Sequence, residues 1–451
     1  MQEQKTPTPA EGLMSRRGFI TSAAAAGAGL ALTRPGFTQS SGGANAEPLR
    51  IALIGAGSQG RVLMNCCLKI PGIQFVALCD IWEYHQRYGG NILKKYGHEV
   101  TIYEDYRRML DEQAKNLDAV LVATPDWMHP THAIASMEAG LHVFCEKEMS
   151  NRLDTARRMV EAQRRTGRLL QFDHQRRSNP YYRHALKLIY NDKVLGRITT
   201  VNGQWNRPVQ APRGWPDKYT LPEKKLAAYG YGSMTQFRNW RWYKKYAGGP
   251  IVDLGSHQLD VYNWFLRARP SRVFAMGGVG YYADDRQWYD NVMVLYEYNT
   301  PQGTVQASYQ VNNTTSHGGY YETFMGDAGS IVVSEDVDKC AMFREAAAKR
   351  RQWEDESEKI EKMGKQAIEL KIGETRTPSG GKPKAVLKAE QDVQKPLHQP
   401  HLENFFEAIR TGAELHCPPE IAWETAVTVL KVNESIARQQ PLEFKAEEFE
   451  V

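Results

Sequence analysis

A glycine-rich turn near residue 55 has the spacing of a phosphate-binding loop. Gly55, Gly57 and Gly60 form G-x-G-x-x-G between an apolar run and an amphipathic stretch. In such a turn the first glycine permits the tight bend, the second lets the main chain approach a pyrophosphate, and the third lets helix and strand pack closely. Ser58 and Gln59 open the following helix, whose first amides face the anion. These five residues therefore predict a dinucleotide-binding site.

Asp80 ends the next apolar run, 20 residues beyond Gly60. A carboxylate at this place accepts hydrogen bonds from two ribose hydroxyls and repels a 2′-phosphate. The first arginine after Asp80 is Arg87. The pattern favours NAD over NADP as the cofactor.

Two further polar segments each follow a short apolar run, as ligand-binding loops do at the carboxyl edge of an α/β sheet. They contain five predicted cofactor contacts: Thr124, Pro125, His129, Glu146 and Lys147. A lysine at this edge can hydrogen-bond a substrate hydroxyl and, when partly desolvated, move its proton. We therefore interpret Lys147 as catalytic; the alternative is a solvated surface lysine.

Asp253 and His257 follow a Gly-Gly-Pro turn and are four residues apart, which places them on one face of a helix. A histidine aligned with a carboxylate suits general acid-base chemistry on an alcohol. Both residues are predicted to be catalytic. Two alternatives stay open: a hydrogen-bonded core histidine, and a metal site, for which no third ligand is evident. No metal is predicted.

Aromatic residues and arginines are dense between residues 176 and 243. Sugar rings stack their C–H faces on aromatic rings, while arginines bind hydroxyls or acidic groups. The predicted substrate contacts are Arg176, Arg177, Trp205, Arg238 and Trp240. The alternative for each of them is core packing or a subunit interface.

Taken in order, these motifs resemble the glucose-fructose oxidoreductase / inositol dehydrogenase (Gfo/Idh/MocA) family. The resemblance implies that Lys147, Asp253 and His257 surround the substrate alcohol and the nicotinamide. Glu148 stands where the family usually has a proline, often in a cis peptide. The implied activity is NAD-dependent oxidation of a sugar, sugar derivative or polyol. The alternatives are an NAD-dependent glycosidase, which oxidises its substrate only transiently, and a binding protein on a degenerate scaffold.

The elements that must position these residues fall into two groups. Strand-like and helical stretches alternate up to residue 172, which predicts an α/β fold with a Rossmann domain over 47–172. Longer β-prone runs then predict an α+β domain over 173–451 with an open, mostly antiparallel sheet. A charged insertion is expected near 343–395, helical over 344–371 and turn-rich over 373–384. Two helices are expected between 401 and 438.

The first 46 residues resemble a twin-arginine export signal. Arg16 and Arg17 precede a short alanine-rich apolar run, and the small-residue site Ala44-Asn45-Ala46 follows. We therefore expect a mature chain that begins at Glu47 and acts in the periplasm or is otherwise exported.

Composition narrows the function classes further. A formal net charge of +5 and 24% charged residues give no indication of nucleic-acid binding. No membrane-spanning helix is expected after the leader. The six cysteines form no C-x-x-C pair, which predicts buried free thiols. The expected partners are a small carbohydrate substrate and further copies of the chain, joined through the C-terminal sheet.

Overall fold

Six short parallel strands form the sheet of the N-terminal half. The computed structural model describes residues 47–349, 351–357, 359–362, 364–370 and 395–451. The strands are β1 Leu49–Ile54, β2 Ile73–Cys79, β3 Thr101–Tyr103, β4 Ala119–Val122, β5 His142–Cys145 and β6 Leu170–Phe172. Their order is β3-β2-β1-β4-β5-β6, the dinucleotide-binding arrangement. The strand order reverses between β1 and β4, so their carboxyl ends diverge into a crevice. The predicted Rossmann fold is confirmed.

Helices cover both faces of this sheet, because its central strands are apolar on both sides. They are α1 Ser58–Cys67, α2 Glu83–Lys95, α3 Tyr106–Gln113, α4 His129–Glu138 and α5 Leu153–Thr166. Local chemistry sets their ends: the Asp105 side chain accepts a hydrogen bond from the amide of Arg107 at the start of α3, and Gly167 ends α5 in the left-handed region, with φ at 65°.

The second half is built on a ten-stranded sheet. Its strands are β7 Ile198–Asn206, β8 Pro270–Gly278, β9 Asn291–Thr300, β10 Gly303–Asn312, β11 Tyr320–Gly326, β12 Gly329–Val333, β13 Ala341–Arg344, β14 Lys359–Lys362, β15 Lys365–Glu369 and β16 Leu442–Glu443. The order is β14-β15-β13-β12-β11-β7-β10-β9-β8-β16. Among the described strands of this second sheet, only β7 and β10 pair in parallel. The predicted mostly antiparallel sheet is confirmed.

One face of this sheet is covered and the other is open. The helices of the second half are α6 Pro180–Tyr190, α7 Glu223–Ala228, α8 Met234–Arg238, α9 Ser256–Leu266, α10 Gln352–Glu356, α11 Gln399–Thr411 and α12 Pro419–Arg438. Apolar residues of α6, α9 and α12 form one core with the inward side chains of the strands. Met276, Met293 and Leu295 on the opposite face are exposed.

The last two helices complete the core of the first half. Leu402, Phe405 and Phe406 of α11 pack in one apolar cluster with β1 and α1. Trp423 and Val427 of α12 pack in another with α4, α5 and β6. The two helices expected between 401 and 438 are therefore present.

The structure corrects one expectation and meets two others. The helix expected over 344–371 is present only as the short α10, Gln352–Glu356. After it, β14 and β15 extend the sheet edge, because Ala367 and Ile368 are buried where β15 pairs with its neighbours. The segments 1–46 and 373–384 lie outside the described residues. All six cysteines are buried free thiols, as predicted. None of the helices in the described ranges combines the length and apolarity that crossing a membrane requires.

Candidate active site

A cavity of about 830 Å³ opens at the carboxyl ends of β1, β2, β4 and β5. Its opposite wall comes from β7, α9 and the loops between residues 207 and 250. Most predicted site residues line it: Gly55, Gly57, Ser58, Gln59, Asp80, Thr124, Pro125, Glu146, Lys147, Trp205, Arg238, Trp240, Asp253 and His257. The volume suits a small-molecule or cofactor site.

The glycine turn leaves room for a ligand at one place. A Cβ at Gly55, whose φ is +95°, would lie 2.6 Å from the Ala123 carbonyl oxygen, and a Cβ at Gly60 would lie 1.9 Å from the Gly55 oxygen. Both glycines are therefore required by packing. A Cβ at Gly57 would meet no atom closer than 3.6 Å. The main chain at Gly57 therefore borders open space at the start of α1, which fits a pyrophosphate cradle.

Asp80 is held rigidly at the end of β2. Its Oδ2 accepts a hydrogen bond from the Ala56 amide at 2.8 Å, and its Oδ1 accepts one from the Trp82 amide at 2.9 Å. The Nδ1 of His85 lies 3.2 Å from Oδ2. These contacts fix a buried carboxylate beside the glycine turn, as a ribose-binding acid requires.

Arg238 lies at this same end of the cavity. Its guanidinium is 4.6 Å from the centre of the Trp82 ring. Arg238 lines the cavity, but α8 folds against the start of α2 and brings the side chain toward Asp80. Its contact with the substrate stays a prediction.

Lys147 and Asp253 meet at the centre of the cavity. The Lys147 ammonium donates a hydrogen bond to the main-chain oxygen of Asp253, and it lies 3.7 Å from the carboxylate Oδ1. Arg241 donates to the same Oδ1 from its Nε at 3.0 Å. Burial alone would raise the pKa of Asp253, but Arg241 and Lys147 lower it well below its usual value. Asp253 is therefore a carboxylate that two cations share.

His257 is presented to the cavity without a bond to Asp253. Its ring lies 5.5 Å from that of Trp205 and 6.4 Å from that of His174. Its buried Nδ1 has no hydrogen-bond partner among the described residues. Burial, and then the positive charge of Lys147, lowers the pKa of His257 well below 6.5. The imidazole is consequently neutral at pH 7.

The expected alignment of His257 with the Asp253 carboxylate is wrong. Residues Ile251–Gly255 form a π-helical turn, so the two side chains are offset from their spacing in an α-helix. Such turns occur frequently at functional sites. The Asp253 carboxylate does not orient the imidazole; it orients Lys147 and Arg241.

A buried cluster behind Lys147 joins Gln59, Glu146, Asp173 and His398. Gln59 donates to Glu146 at 2.7 Å, and His398 Nδ1 lies 2.7 Å from Asp173 Oδ2. Burial raises the pKa of Glu146 to about 8. Burial opposes protonation of His398, but Asp173 raises its pKa to about 9. One side-chain oxygen or nitrogen atom from each of Glu146, Asp173 and His398 lies within 4.8 Å of the others, a spacing that could hold a metal ion. The contact between Asp173 and His398 and the hydrogen bond from Gln59 to Glu146 account for this arrangement.

Two predicted substrate contacts, Arg176 and Arg177, lie outside the cavity. Arg176 donates to Glu322 and, at 3.1 Å, to Glu335; Arg177 donates to both oxygens of Asp260 at 2.8 to 3.0 Å. These arginines neutralise buried acids, so the prediction that they bind substrate is wrong.

The His129 side chain is also held by contacts within the protein. Its two ring nitrogens each lie 2.7 Å from a main-chain carbonyl oxygen, one of Glu148 and one of Thr124. Because both nitrogens are engaged and the ring is buried, the prediction that His129 contacts the cofactor is also wrong. Gly60, likewise outside the lining, has the packing role that its motif predicts.

Several lining residues were missed by the sequence analysis. Arg207, Arg213 and Arg241 line the cavity near Asp253, and Asp126 lines it between the motif residues Pro125 and His129. Burial raises the pKa of Asp126 to about 7, and its Oδ2 has no partner in the described part of the chain. Asp126 carried a signal, since it stands inside a recognised motif. The arginines lie in the arginine-rich stretch between residues 176 and 243, but no motif singled them out.

Comparison with known proteins gives two adjacent family matches. Residues 49–174 match the GFO/IDH/MocA model described as an oxidoreductase family with an NAD-binding Rossmann fold, and residues 182–332 match the GFO/IDH/MocA C-terminal domain.

Curated relatives match over shorter stretches. The chain is 28% identical to the D-glucoside 3-dehydrogenase of Escherichia coli over 221 residues, which are 49% of this chain and 54% of that protein. It is 33% identical to a glycosyl hydrolase family 109 protein of Stenotrophomonas maltophilia over 141 residues, 30% of this chain and 29% of that protein. The matches span about a third to a half of the length of the curated relatives.

The fold is similar to that of the WlbA dehydrogenase from Chromobacterium violaceum, solved in complex with NADH and UDP-GlcNAcA. The TM-score is 0.64 at 19% identity, and the match covers 89% of this chain and 97% of that one. At this identity the similarity shows the fold.

Proposed function

Since the chain belongs to the GFO/IDH/MocA oxidoreductase family, we propose that it is an NAD-dependent dehydrogenase of a sugar, sugar derivative or polyol. One observation carries the proposal: a single cavity joins the glycine turn and Asp80 at one end to Lys147, Asp253 and His257 at the other. Such a cavity places an alcohol beside both a nicotinamide and a proton acceptor.

The residues present fit a dinucleotide. The open space at Gly57 and the first amides of α1 would hold its pyrophosphate, and Asp80 would hold a ribose. Ser58, Gln59, Thr124, Pro125 and Glu146 line the path toward Lys147. NAD is favoured over NADP, because a fixed carboxylate at residue 80 repels a 2′-phosphate. When bound, the nicotinamide supplies an acceptor for the hydride that leaves the alcohol carbon.

His257 and Lys147 divide the proton chemistry. The neutral imidazole of His257 accepts the hydroxyl proton, while the Lys147 ammonium donates a hydrogen bond to the same oxygen as it becomes a carbonyl. The C–H electron pair departs as hydride and the hydroxyl proton passes to His257, so the alcohol loses one hydride and one proton in forming its C=O bond. Asp253 positions Lys147 through its main-chain oxygen and its carboxylate.

A second candidate function is hydrolysis of a glycoside through transient oxidation. It is favoured by the similarity to the glycosyl hydrolase family 109 protein. In that chemistry, oxidation at one carbon acidifies the neighbouring C–H bond, elimination releases the leaving group, and hydride returns at the end. The same residues would serve the first step.

We also propose that the protein is exported and assembles into a homo-oligomer. Export is supported by the paired Arg16 and Arg17 before an apolar run. Assembly through the open face of the ten-stranded sheet is supported by exposed Met276, Met293 and Leu295, which form an apolar patch on one face.

The deciding experiment is a substrate screen on purified protein that follows both absorbance at about 340 nm and released sugar. A dehydrogenase produces reduced cofactor in proportion to oxidised sugar, whereas a glycosidase releases sugar without net reduction. A protein that binds no dinucleotide and turns over neither class would refute both functions.

A further inference from the structure

The region of the cavity around Trp205 carries more arginine than acid. Arg207, Arg213 and Arg241 line it together with Lys147. Asp253 is the carboxylate that pairs with Arg241 and Lys147. Neither Arg207 nor Arg213 forms an ion pair within the described residues. Four cations therefore lie near Asp253, and the other acid beside Arg241 and Lys147 is Asp126, whose pKa burial raises to about 7.

Arg207 is fixed in place and forms no ion pair with a described residue. Its main-chain amide donates to the Asn312 carbonyl at 2.7 Å, and its guanidinium lies 5.0 Å from the centre of the Trp205 ring. Burial lowers the pKa of Arg207. Asp253, which Arg241 and Lys147 also approach, opposes this effect of burial. Arg207 thus lacks an acid of its own, although buried cations ordinarily have an anion beside them.

Arg213 is held on a neighbouring loop at the mouth of the cavity. Its main-chain amide donates to the Asn239 Oδ1 at 2.8 Å, and the Asn239 amide donates back to the Arg213 carbonyl at 3.3 Å. Its side chain forms no hydrogen bond with any described residue. Partial burial and the nearby Arg241 lower its pKa. The loop thus presents a second unpaired guanidinium close to the first group of cations.

Trp205 relates this positive region to the reacting groups. Its ring lies 5.5 Å from His257 and stacks on Tyr320 at 4.8 Å with an interplanar angle of 28°. The indole therefore has the His257 imidazole on one side and the Arg207 guanidinium on another. A sugar ring resting here would have one carbon near His257 and a different substituent near Arg207.

The other arginines of the cavity have partners elsewhere. Arg238 lies over Trp82 at the Asp80 end, and Arg286 pairs with Asp284 at 2.6 Å. The glycine turn, which fits the dinucleotide phosphates, borders His85 at the opposite end from Trp205. Arg238 also donates to the Gly214 carbonyl at 3.3 Å, beside Arg213. The positive region therefore faces the substrate through Arg207, beside Trp205, and extends through Arg213 toward the Asp80 end.

We propose that the substrate is a sugar with an anionic substituent, which Arg207 and Arg213 bind while another carbon of the same sugar faces His257 and Lys147. This inference rests on the proposed function. Carboxylate, sulfate and phosphate groups share the required chemistry, because each accepts charge-assisted hydrogen bonds from guanidinium groups.

The test is equilibrium binding to NAD-saturated protein by calorimetry. The probes are gluco-, galacto- and manno-configured sugars, each in its neutral form and with a carboxylate, sulfate or phosphate at the last carbon. We expect at least one anionic form to bind about tenfold or more tightly than its neutral counterpart. The anionic group that gives this preference identifies the substituent of the substrate as a carboxylate, a sulfate or a phosphate.

The matched variants are R207Q, R213Q and the double variant, with R158Q of the exposed Arg158 on α5 as control. The double variant should lose the preference and leave neutral-sugar binding within about threefold, while the control retains both. Because neither guanidinium forms an ion pair with the described residues, the melting temperatures of the ligand-free variants should be unchanged or higher. A preference that survives in the folded double variant overturns the proposal.

Two further outcomes separate this inference from the proposed function. NAD binding and oxidation of neutral sugars without any anionic preference would contradict the inference and leave the dehydrogenase assignment standing. If the protein binds no dinucleotide but prefers anionic sugars through Arg207 and Arg213, the inference stands and the dehydrogenase assignment is contradicted. Failure of every anionic probe to bind also counts against the inference.

Discussion

Lys147 contacts Asp253 twice: its ammonium donates a hydrogen bond to the Asp253 main-chain oxygen and lies 3.7 Å from the carboxylate Oδ1. Lys147 follows β5 of the parallel sheet, whereas Asp253 belongs to the π-helical turn that precedes α9. The pair therefore connects the cofactor side of the cavity to the substrate side. It fixes the direction in which the lysine points.

The first prediction concerns these residues. Lys147→Met and His257→Gln should each lower kcat by about 10²–10⁴-fold, because proton transfer and hydrogen bonding to the reacting oxygen are lost. Dinucleotide affinity should stay within a few fold. The measurements are steady-state turnover and calorimetric titration with NAD.

Asp253→Asn is the graded control for this prediction. It keeps the main-chain acceptor of Lys147 and removes only the carboxylate, so its loss of kcat should be smaller than that of Lys147→Met. If all three variants melt early yet retain near-normal turnover below their melting temperatures, their role is structural and the assignment is wrong.

The second prediction is that NAD co-purifies with the protein. Twin-arginine export moves folded proteins, so a cofactor needed outside the cytoplasm must be bound before transit. Mass spectrometry of the denatured protein should detect it. Finding no dinucleotide, together with no binding of added NAD or NADP, would falsify the dehydrogenase assignment.

The third prediction concerns cofactor choice. Asp80→Ala should lower the affinity for NAD and reduce the ratio of NAD affinity to NADP affinity by about tenfold. The variant loses a charged acceptor for the ribose hydroxyls. Asp80 also accepts hydrogen bonds from the Ala56 and Trp82 amides, so Asp80→Asn, which retains an acceptor, separates charge from turn stability. An unchanged preference in titrations of both variants would place the discrimination elsewhere.

The fourth prediction concerns pH. Glu148 is buried, with its Oε2 3.8 Å from His174 Nε2, and burial raises its pKa from 4.5 to about 8. In the unfolded chain the Glu148 carboxyl loses its proton above about pH 4.5, whereas in the folded protein it keeps the proton up to about pH 8. The free energy of unfolding therefore falls as the pH rises between these two values.

Glu148→Gln removes that titration and retains an oxygen that can accept from the Met149 amide. The variant should melt near the wild-type temperature at pH 5 and above it at pH 8, by an amount equivalent to roughly 2–4 kcal/mol. Glu138→Gln, at an exposed position on α4, should show no such trend. The measurement is thermal unfolding at the two pH values. An equal difference in melting temperature between variant and wild type at both pH values would contradict the assigned pKa.

The fifth prediction concerns assembly. Met293 is 67% exposed on the open face of the ten-stranded sheet. Met293→Lys should dissociate the oligomer by placing a charge in an apolar interface, as measured by light scattering during size-exclusion chromatography. Val62→Lys on α1 is the matched control, since it adds the same charge away from that sheet. A wild-type protein that is monomeric at micromolar concentration would contradict the proposal.

The sequence predicted the Rossmann sheet well because its signals are local. The glycine spacing, the apolar runs and Asp80 all lie within about 30 residues of one another, as the motif requires. The same holds for Lys147, which directly follows a strand. The contacts of Arg176, Arg177 and His129 could not be predicted from such patterns, because their partners lie on distant segments or on the main chain.

The helix expected over 344–371 is present only in part, for a related physical reason. Charged residues with high helical propensity also suit the exposed edge of a sheet when a neighbouring strand provides the hydrogen bonds. The arginines near Trp205 were missed because only the folded loops bring them together. Pairing of Lys147 with Asp253 depends on the π-helical turn, for which the chain has no recognisable signal.

The packing of α11 and α12 against the first half has a consequence for synthesis of the chain. A nascent polypeptide that ends before residue 399 lacks Leu402, Phe405 and Phe406, and Trp423 and Val427 follow later still. The dinucleotide-binding half thus exposes apolar surface on the ribosome until almost the whole chain has emerged. We expect a fragment that ends before residue 399 to be less stable than the full chain, because its apolar clusters are incomplete.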